Sequence, residues 1–500
     1  MNVQKDVVNA TIIPSTDAHE GIGDLSTWQV GGRDLTTPGI PEAEEKKLLR
    51  KLDWHIAPVL CGLYLLSFLD RSNIGNAAVA GLTTDLHLPT NGLSVATSIF
   101  YVTYVTFELP SAAFLKRFGP SRMIPAIIIC WGLVILFSGF MSTYGGLIAT
   151  RLILGCCEAA LFPCMSLYLT MFYRRSELAR RTAFLFIAAA LSGAFGGLLA
   201  AAILKMDGIG GRRGWQWLYI LEGLVSVLYG ISVIWLLSDS PDKAWYLNDR
   251  DKEMMKSREA QDAGYVGDSD MSWAESKRAI KDIKVYLSGF CQLGVDTCLF
   301  GFSTFLPVII QAQSSSYTTI HIQLLTVPVY AWAALIYISL AMLSDRIDMR
   351  AAIMIPCAGV SIIGYIVLLT VHHNPAVEYF ATFLVGTGIY LCVGLNVTWL
   401  NQNQAGHHKR ATAIGIQQFM GNCGGVIAGQ IYVSSGSPYY TVGHAVSLAG
   451  MCWATCGFMA MYLILRHLNA RKSRLTKEQK DEMDGQAVKG DAHYEFLFCY

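Results

Sequence analysis

Charged residues are scarce in this chain. Asp, Glu, Lys and Arg make up 15% of its 500 residues, and 53% of the residues are hydrophobic. Soluble proteins carry about 25% charged residues, so the composition excludes an ordinary water-soluble protein and indicates a membrane protein. The formal net charge of +1 gives no argument for a nucleic-acid partner, and we expect none.

The residue patterns of enzyme sites are also missing. None of the 13 cysteines forms a C-x-x-C pair, and no metal-ligand cluster or nucleophile motif stands out. The glycine-rich stretch 208–214 follows no predicted strand, so we interpret it as a turn rather than a phosphate-binding loop. We therefore predict that the protein is not an enzyme and has no catalytic residue, metal or cofactor.

Long apolar runs are what the chain has in abundance. A membrane-spanning helix needs about 20 such residues, and twelve runs come near that length. Their approximate limits are 56–78, 93–115, 123–141, 146–171, 182–204, 216–237, 285–311, 321–343, 352–371, 377–400, 412–434 and 444–466. The predicted fold class is an all-α membrane protein with twelve transmembrane helices in two six-helix bundles.

The basic residues predict the orientation of these helices, because Lys and Arg concentrate on the cytoplasmic side of a membrane. With a cytoplasmic N-terminus, 33 of the 38 Lys and Arg residues lie on that side, and only Lys205, Arg212 and Arg213 lie outside. We therefore predict that both termini are cytoplasmic. Residues 1–54 show no short apolar core or cleavage pattern, so we expect the first span itself to direct insertion.

A long polar stretch divides the spans into two sets of six. The predicted organisation is a cytoplasmic tail, an N-terminal bundle, a cytoplasmic linker, a C-terminal bundle and a second cytoplasmic tail, at residues 1–55, 56–237, 238–284, 285–466 and 467–500. Paired halves of this kind are typical of transporters, with the substrate site at mid-membrane between them.

Four ionisable residues inside the spans are the strongest functional signal: Asp70, Arg71, Arg151 and Glu158. Each costs about 2.5–3.5 kcal/mol at the bilayer centre, so such residues are retained for pairing, ion coupling or ligand binding. In a helix Arg151 and Glu158 lie about 20° from the same face, whereas Asp70 and Arg71 point about 100° apart. We therefore expect Arg151 and Glu158 both to face a cavity, whereas only one of Asp70 and Arg71 faces it squarely. A fixed positive charge beside a carboxylate that can take up a proton suits proton-coupled anion uptake.

Several stretches of the sequence resemble, in the same order along the chain, those of a known family. They are residues 69–77 (LDRSNIGNA), 108–111 (ELPS), 151–163, 215–223 (WQWLYILEG), 325–330 (LTVPVY), 421–422 and 438–444. Over about residues 50–470 the chain resembles the major facilitator superfamily, and within it the anion:cation symporter family, in the branch of fungal allantoate and nicotinate permeases. The superfamily's inner-loop pattern is incomplete in both halves. The first half has Ala112 and Lys116 at its Gly and Asp positions, and the second half keeps Asp345 and Arg346 but has Ala341 and Asp348 at the two Gly positions.

The resemblance implies roles for the four charged residues. It implies that Arg71 binds the substrate's carboxylate, that Asp70 and Glu158 couple transport to protons, and that Arg151 contributes through an ion pair that responds to coupling. The alternative is that these residues form static ion-pair locks between helices. Weaker candidates are Tyr104, Tyr330 and Asn401 for substrate binding and Glu108, Glu222, Lys116, Arg117, Asp345 and Arg346 for gating or the interface between halves.

Four further ionisable residues have ordinary explanations. Asp296, the only deep acidic residue of the second half, pairs with Arg71 or Arg151 or simply faces a polar cavity. We expect His321, Glu378 and His444 to be solvated, because they fall at span ends.

The predicted function is secondary active transport of a small organic anion, a vitamin-like carboxylate or a ureide among the possibilities, taken up with protons by alternating access. The absence of the antiporter-associated Gly-Pro pattern from the fifth span favours uptake. The alternatives are an exporter of an acidic metabolite and, in a different class, a transporter-like nutrient sensor. The predicted partners are the substrate, protons and lipid; we expect a monomer in the plasma membrane, with the vacuolar membrane as the alternative.

Overall fold

The computed structural model describes residues 29–30, 33–34, 41–265, 273–314, 316–347, 349–405, 407–433, 436–476, 479, 491, 493–494 and 496–500. Two two-residue strands, β1 (Gln29–Val30) and β2 (Arg33–Asp34), pair antiparallel. All other regular structure in the described part is helical, which confirms the helical fold class.

The α-helices follow one another along the chain with short connections. They are α1 (Glu42–Ala77), α2 (Thr83–Asp85), α3 (Gly92–Phe118), α4 (Pro120–Ser138), α5 (Tyr144–Glu158), α6 (Leu161–Phe172), α7 (Arg175–Ile203), α8 (Gly214–Leu236), α9 (Asp249–Tyr265), α10 (Trp273–Lys281), α11 (Ile283–Gln313), α12 (Thr319–Ile347), α13 (Arg350–Thr370), α14 (Pro375–Gln402), α15 (His407–Ile431) and α16 (Thr441–Ser473).

Ten helical segments in the described part of the chain are long and apolar enough to cross a membrane. The predicted spans 93–115 and 412–434 are not among them, although α3 and α15, which contain them, are 27 and 25 residues long. These two helices pack against each other, and Ser98 of α3 bonds to the Val426 carbonyl and to Gln430 of α15. Twelve spans and the orientation of the termini stay predictions.

One predicted span contains two helices in the structure. Tyr144–Phe172 is a single segment long and apolar enough to cross a membrane, as predicted for residues 146–171, but within it α5 ends at Glu158 and α6 starts at Leu161. Pro163 has no N–H to donate to the carbonyl four residues earlier, and its ring crowds that carbonyl. The helix therefore divides just after Glu158, which places this carboxyl at a helix end in the protein interior.

Helices from before and after the polar stretch meet along several lines. α3 packs on α15, α7 on α12 and α1 on α11. At the last contact, a Cβ added to Gly75 of α1 would collide with the Thr304 carbonyl of α11. The small residue thus permits the two backbones to approach closely.

The polar stretch 238–284 contains the two helices α9 and α10, which its composition alone did not predict. Arg258 of α9 is 2% exposed and pairs with Glu45 at 3.0 Å and with Glu177 at 2.6 Å. Lys51 pairs with Asp251 at 2.6 Å. These ion pairs fasten α9 to the adjacent ends of α1 and α7, a side of the molecule called here the linker side.

The last described residues are also docked on the linker side, against α11, α14 and α16. The Trp399 indole donates to the Cys499 carbonyl at 2.9 Å, and Asn469 exchanges hydrogen bonds of 2.8 and 2.9 Å with the Phe498 backbone. Lys284 and Lys409 pair with Asp491 at 3.0 and 2.6 Å. Burial would raise the pKa of the Asp491 carboxyl, but the two ammonium groups outweigh burial and hold this pKa below its usual range.

The docked tail predicts a difference between two neighbouring substitutions. Phe498 is 5% exposed and Leu497 is 67% exposed. Because truncation of a buried aromatic costs about 3 kcal/mol or more, Phe498→Ala should lower the unfolding temperature of the purified protein by several degrees, and Leu497→Ala should leave it unchanged. Equal unfolding temperatures for the two variants would contradict the docking.

Candidate functional site

A small internal cavity lies among helices from both sets. Aromatic side chains form half of its lining: Tyr64, Phe68, Tyr104, Phe162, Phe186, Phe300 and Tyr390. Its polar lining comes from Arg71, Asp296, Gln418 and Asn422. Its free volume of about 40 Å³ has room for a few water molecules, so an organic acid needs a more open conformation than this one.

Arg71 reaches the cavity from α1 and forms a buried ion pair with Glu158 at the end of α5. Its Nη2 and Nε atoms both lie 2.8 Å from Glu158 Oε1, and Ser67 donates to the same oxygen. The guanidinium also lies 5.1 Å from the Phe68 ring centroid and 4.8 Å from that of Tyr104. A buried Arg stays charged, and its planar fork matches a carboxylate. The Arg71 guanidinium therefore joins the cavity to a carboxylate that can accept a proton.

Asp70 points away from the cavity, as the helical angle between it and Arg71 predicts. Its carboxyl accepts hydrogen bonds from the Trp131 indole at 2.8 Å and from Ser226 at 3.4 Å. The Asn73 amide lies 3.5 Å from it. Asp70 is thus held between α1, α4 and α8 by neutral donors.

Glu222 lies beside this group rather than at a surface between the two sets of helices. Asn73 donates to one Glu222 oxygen, while Glu222 Oε1 and Asn73 Oδ1 are buried without a partner.

Arg151 does not share the surroundings of Glu158. Its Nη2 donates to the Tyr219 hydroxyl of α8 at 2.9 Å, and within the described residues it has no ion pair. The heptad spacing placed both residues on one side of the helix, but Glu158 turns to α1 and Arg151 to α8. The structure therefore separates two groups that we expected on one cavity wall.

The weaker substrate-binding candidates fall in three different places. Tyr104 lines the cavity. Tyr330 is buried beside it and donates to the Ser303 carbonyl at 3.1 Å, but it is not part of the lining. Asn401 lies in the last turn of α14, two turns beyond the cavity-lining Val393.

The gating candidates are spread over the molecule. Glu108 of α3 accepts a 3.2 Å hydrogen bond from Asn422 of α15, so it joins helices of the two sets. Asp345 pairs with Arg350 at 2.6 Å, and Arg346 is exposed. Lys116 and Arg117 belong to α3, but their side chains fall outside the described part of the structure.

Asp296 lines the cavity, as one of its two predicted alternatives has it, and among the described residues it forms no ion pair with Arg71 or Arg151. Sequence reasoning gave no role to two other polar residues of the lining, Gln418 and Asn422. Their signal is that each is a polar residue deep inside a predicted span.

His444 was interpreted wrongly: it is 3% exposed and its Nδ1 lies 3.4 Å from the Tyr432 hydroxyl. A position near a span end does not ensure solvation when neighbouring helices cover it.

Comparison with known proteins gives one family throughout. A sequence model of the Major Facilitator Superfamily matches residues 60–429. An uncharacterized transporter of Schizosaccharomyces pombe is 44% identical over 456 residues, covering 89% of this chain and 91% of that protein. The high-affinity nicotinic acid transporter of Saccharomyces cerevisiae is 35% identical over 464 residues, covering 92% and 86%.

Solved structures with the same fold are more distant in sequence. A bacterial homologue of the human lysosomal transporter Spinster has a TM-score of 0.65 at 13% identity and covers 82% of this chain and 97% of its own. A D-xylose–proton symporter has a TM-score of 0.63 at 14% identity, with the same two shares. At such identities the likeness is one of fold.

Proposed function

Because the chain belongs to the Major Facilitator Superfamily and is an integral multi-pass membrane transporter rather than an enzyme, we propose that it imports a small organic anion together with protons. The observation that carries the proposal is the Arg71–Glu158 ion pair, with Arg71 at the cavity. The Saccharomyces cerevisiae relative is a nicotinic acid transporter, which supports an organic acid as the substrate.

Competition for Arg71 provides the coupling. While Glu158 is ionised it occupies the guanidinium, and breaking such a buried pair is costly because it leaves an uncompensated charge. A proton taken up from outside neutralises Glu158 and releases Arg71 for an incoming carboxylate. When the proton leaves on the inside, Glu158 competes again and the substrate is expelled.

Charge balance explains why the loaded site can cross between its two orientations. When a substrate carboxylate is bound to Arg71 and Glu158 is protonated, the net charge of the site is zero. The net charge is also zero in the empty state, in which Arg71 pairs with Glu158. The helices thus avoid carrying an unpaired charge through a low-dielectric interior. Asp70 is the second proton-accepting group in this scheme, and Arg151 supplies a fixed positive charge near it through its bond to Tyr219.

The remaining organisation is part of the same proposal. Twelve helices cross the membrane in two bundles of six, residues 56–237 and 285–466, with both termini and the 238–284 linker in the cytoplasm. The bundles rock about the cavity, with the Asp345–Arg346 loop and the Glu108–Asn422 contact as candidate gates. The protein acts as a monomer in the plasma membrane.

A radiolabelled uptake screen tests the function directly. Cells that express the chain should accumulate at least one small carboxylate with saturable kinetics, and faster at acidic than at neutral external pH because a proton must bind first. Cells carrying the empty vector give the background. Uptake that does not respond to external pH, or net loss of preloaded acid, would count against proton-coupled import.

A further inference from the structure

Helix α10 carries three exposed basic side chains that have no ion-pair partner among the described residues. They are Lys277, Arg278 and Lys281. Glu275 is the only acid of α10. The next acid along the chain, Asp282, already pairs with Lys284 at 3.4 Å and with Lys409 at 2.7 Å. The positive charge of α10 is therefore not neutralised within the described part of the molecule.

One side of α10 packs against α15 and against the first turn of α11. Ala279 is fully buried in a cluster with Val285 of α11 and Ala413 of α15, and the Thr412 hydroxyl donates to that of Ser276 at 3.2 Å. Val285 and Thr412 are also the first residues of their two predicted spans. α10 therefore lies at the depth where α11 and α15 enter the membrane.

The basic side chains of α10 lie on the side away from these contacts. Successive residues of a helix are about 100° apart around its axis, so the three basic residues fall within a sector of about 100° opposite Ser276 and Ala279. Ile280 lies between the two sides and is 49% exposed, and Ile283 in the first turn of α11 is 66% exposed. At a membrane surface, such apolar side chains reach the acyl chains while Lys and Arg stay with the headgroups.

We propose that α10 binds the headgroups of anionic phospholipids in the leaflet on the linker side. Three unpaired cations beside two exposed isoleucines complement a surface that presents negative charge above an apolar interior. A phospholipid without net charge offers these cations no comparable attraction. This binding goes beyond the transport function and does not depend on which substrate the cavity holds.

Bound lipid would act on two helices of the cavity. Asp282 connects α10 to both of them, because it accepts a hydrogen bond from the Lys284 backbone N–H in the first turn of α11 and pairs with Lys409 of α15. α11 contributes Asp296 to the cavity lining, and α15 contributes Asn422. An anionic lipid on α10 therefore holds the linker-side ends of these two helices at a fixed depth in the bilayer.

A lipid titration of the whole chain, released from detergent in a native mass spectrometer, measures this binding. For the first lipid bound, phosphatidylserine should bind at least tenfold more tightly than phosphatidylcholine. The triple variant Lys277→Gln/Arg278→Gln/Lys281→Gln should weaken phosphatidylserine binding at least tenfold, because each cation near an anionic surface contributes about fivefold. Its phosphatidylcholine binding should stay unchanged, which also shows that the variant is folded.

A second triple variant controls for the loss of charge. Lys243→Gln/Arg250→Gln/Lys256→Gln removes three exposed cations that each pair with an acid, and it should bind phosphatidylserine as the unmodified protein does. Inorganic phosphate should not displace the lipid, since it has no acyl chain to reach the isoleucines. Equal binding of the two lipids, undiminished phosphatidylserine binding by the α10 variant, an equal loss in both variants, or displacement by phosphate would each overturn the proposal.

Discussion

Replacing Arg71 by alanine is expected to reduce saturable uptake at least a hundredfold. Arg71 is the basic side chain on the cavity lining, and it presents a planar fork that pairs with a carboxylate through two hydrogen bonds. Hydrogen bonds to charged groups contribute about 1.5–3 kcal/mol each, so the loss of two such bonds accounts for a factor of this size. The reduction is measured as the uptake of radiolabelled substrate into proteoliposomes.

Stability must be separated from transport in this experiment. Arg71→Ala leaves Glu158 buried without its cation, and such a break costs about 3–5 kcal/mol of folding free energy. The double variant Arg71→Ala/Glu158→Gln removes the uncompensated charge, so it should regain thermal stability but not uptake. Arg71→Lys keeps the charge and loses the fork, and it should transport weakly. Arg250→Ala removes an exposed arginine of α9 and should transport normally. Normal uptake by Arg71→Ala would exclude Arg71 as the carboxylate-binding group.

Glu158→Gln is expected to separate transport from its driving force. Glutamine resembles the protonated acid, so Arg71 is released permanently and substrate still binds. Exchange of labelled for unlabelled substrate across the membrane should therefore continue. Accumulation against a gradient should be lost: one pH unit driving one proton supports about tenfold accumulation, and the variant should reach only equal concentrations on both sides.

Proteoliposomes with an imposed pH gradient provide the measurement. Exchange without a gradient establishes that the variant binds and moves substrate, and gradient-driven uptake then reports coupling alone. Asp70→Asn in the same assay shows whether the second carboxyl contributes a proton. Accumulation by Glu158→Gln equal to that of the unmodified protein would remove Glu158 from the coupling mechanism.

The helical membrane fold could be predicted because it depends on quantities that one sequence contains. The lengths of the apolar runs correspond to the thickness of the bilayer, and ordered stretches such as residues 69–77 identify the superfamily. The predicted boundaries of the helices were less accurate, because a run of apolar residues marks only the length of a helix that lies within the lipid. α1 begins at Glu42, whereas the first predicted span begins at residue 56, because polar residues on the linker side extend the helix beyond the apolar run.

The charged residues of the site could be found, but their partners could not. Helical periodicity fixes the angle between Asp70 and Arg71, so it correctly predicted that one faces the cavity and the other a neighbouring helix. It does not fix how a whole helix is rotated against its neighbours, and for that reason it did not separate Arg151 from Glu158. Gln292 was not identified for a related reason, since its contact with Asp296 appears only after packing.

The polar stretch and the tail could not be interpreted from composition. Arg258 and Asp491 look like solvated surface charges in the sequence, yet each is enclosed by opposite charges from distant parts of the chain. Such contacts between residues far apart in sequence leave no periodic signal. Only the folded structure brings these residues together.

The docked tail also connects helix ends that belong to different parts of the second set. Cys499 and Phe498 accept hydrogen bonds from side chains of α14 and α16, and Asp491 pairs with Lys284 of α11 and Lys409 of α15. A displacement of these helix ends relative to one another on the linker side must therefore break contacts with the tail.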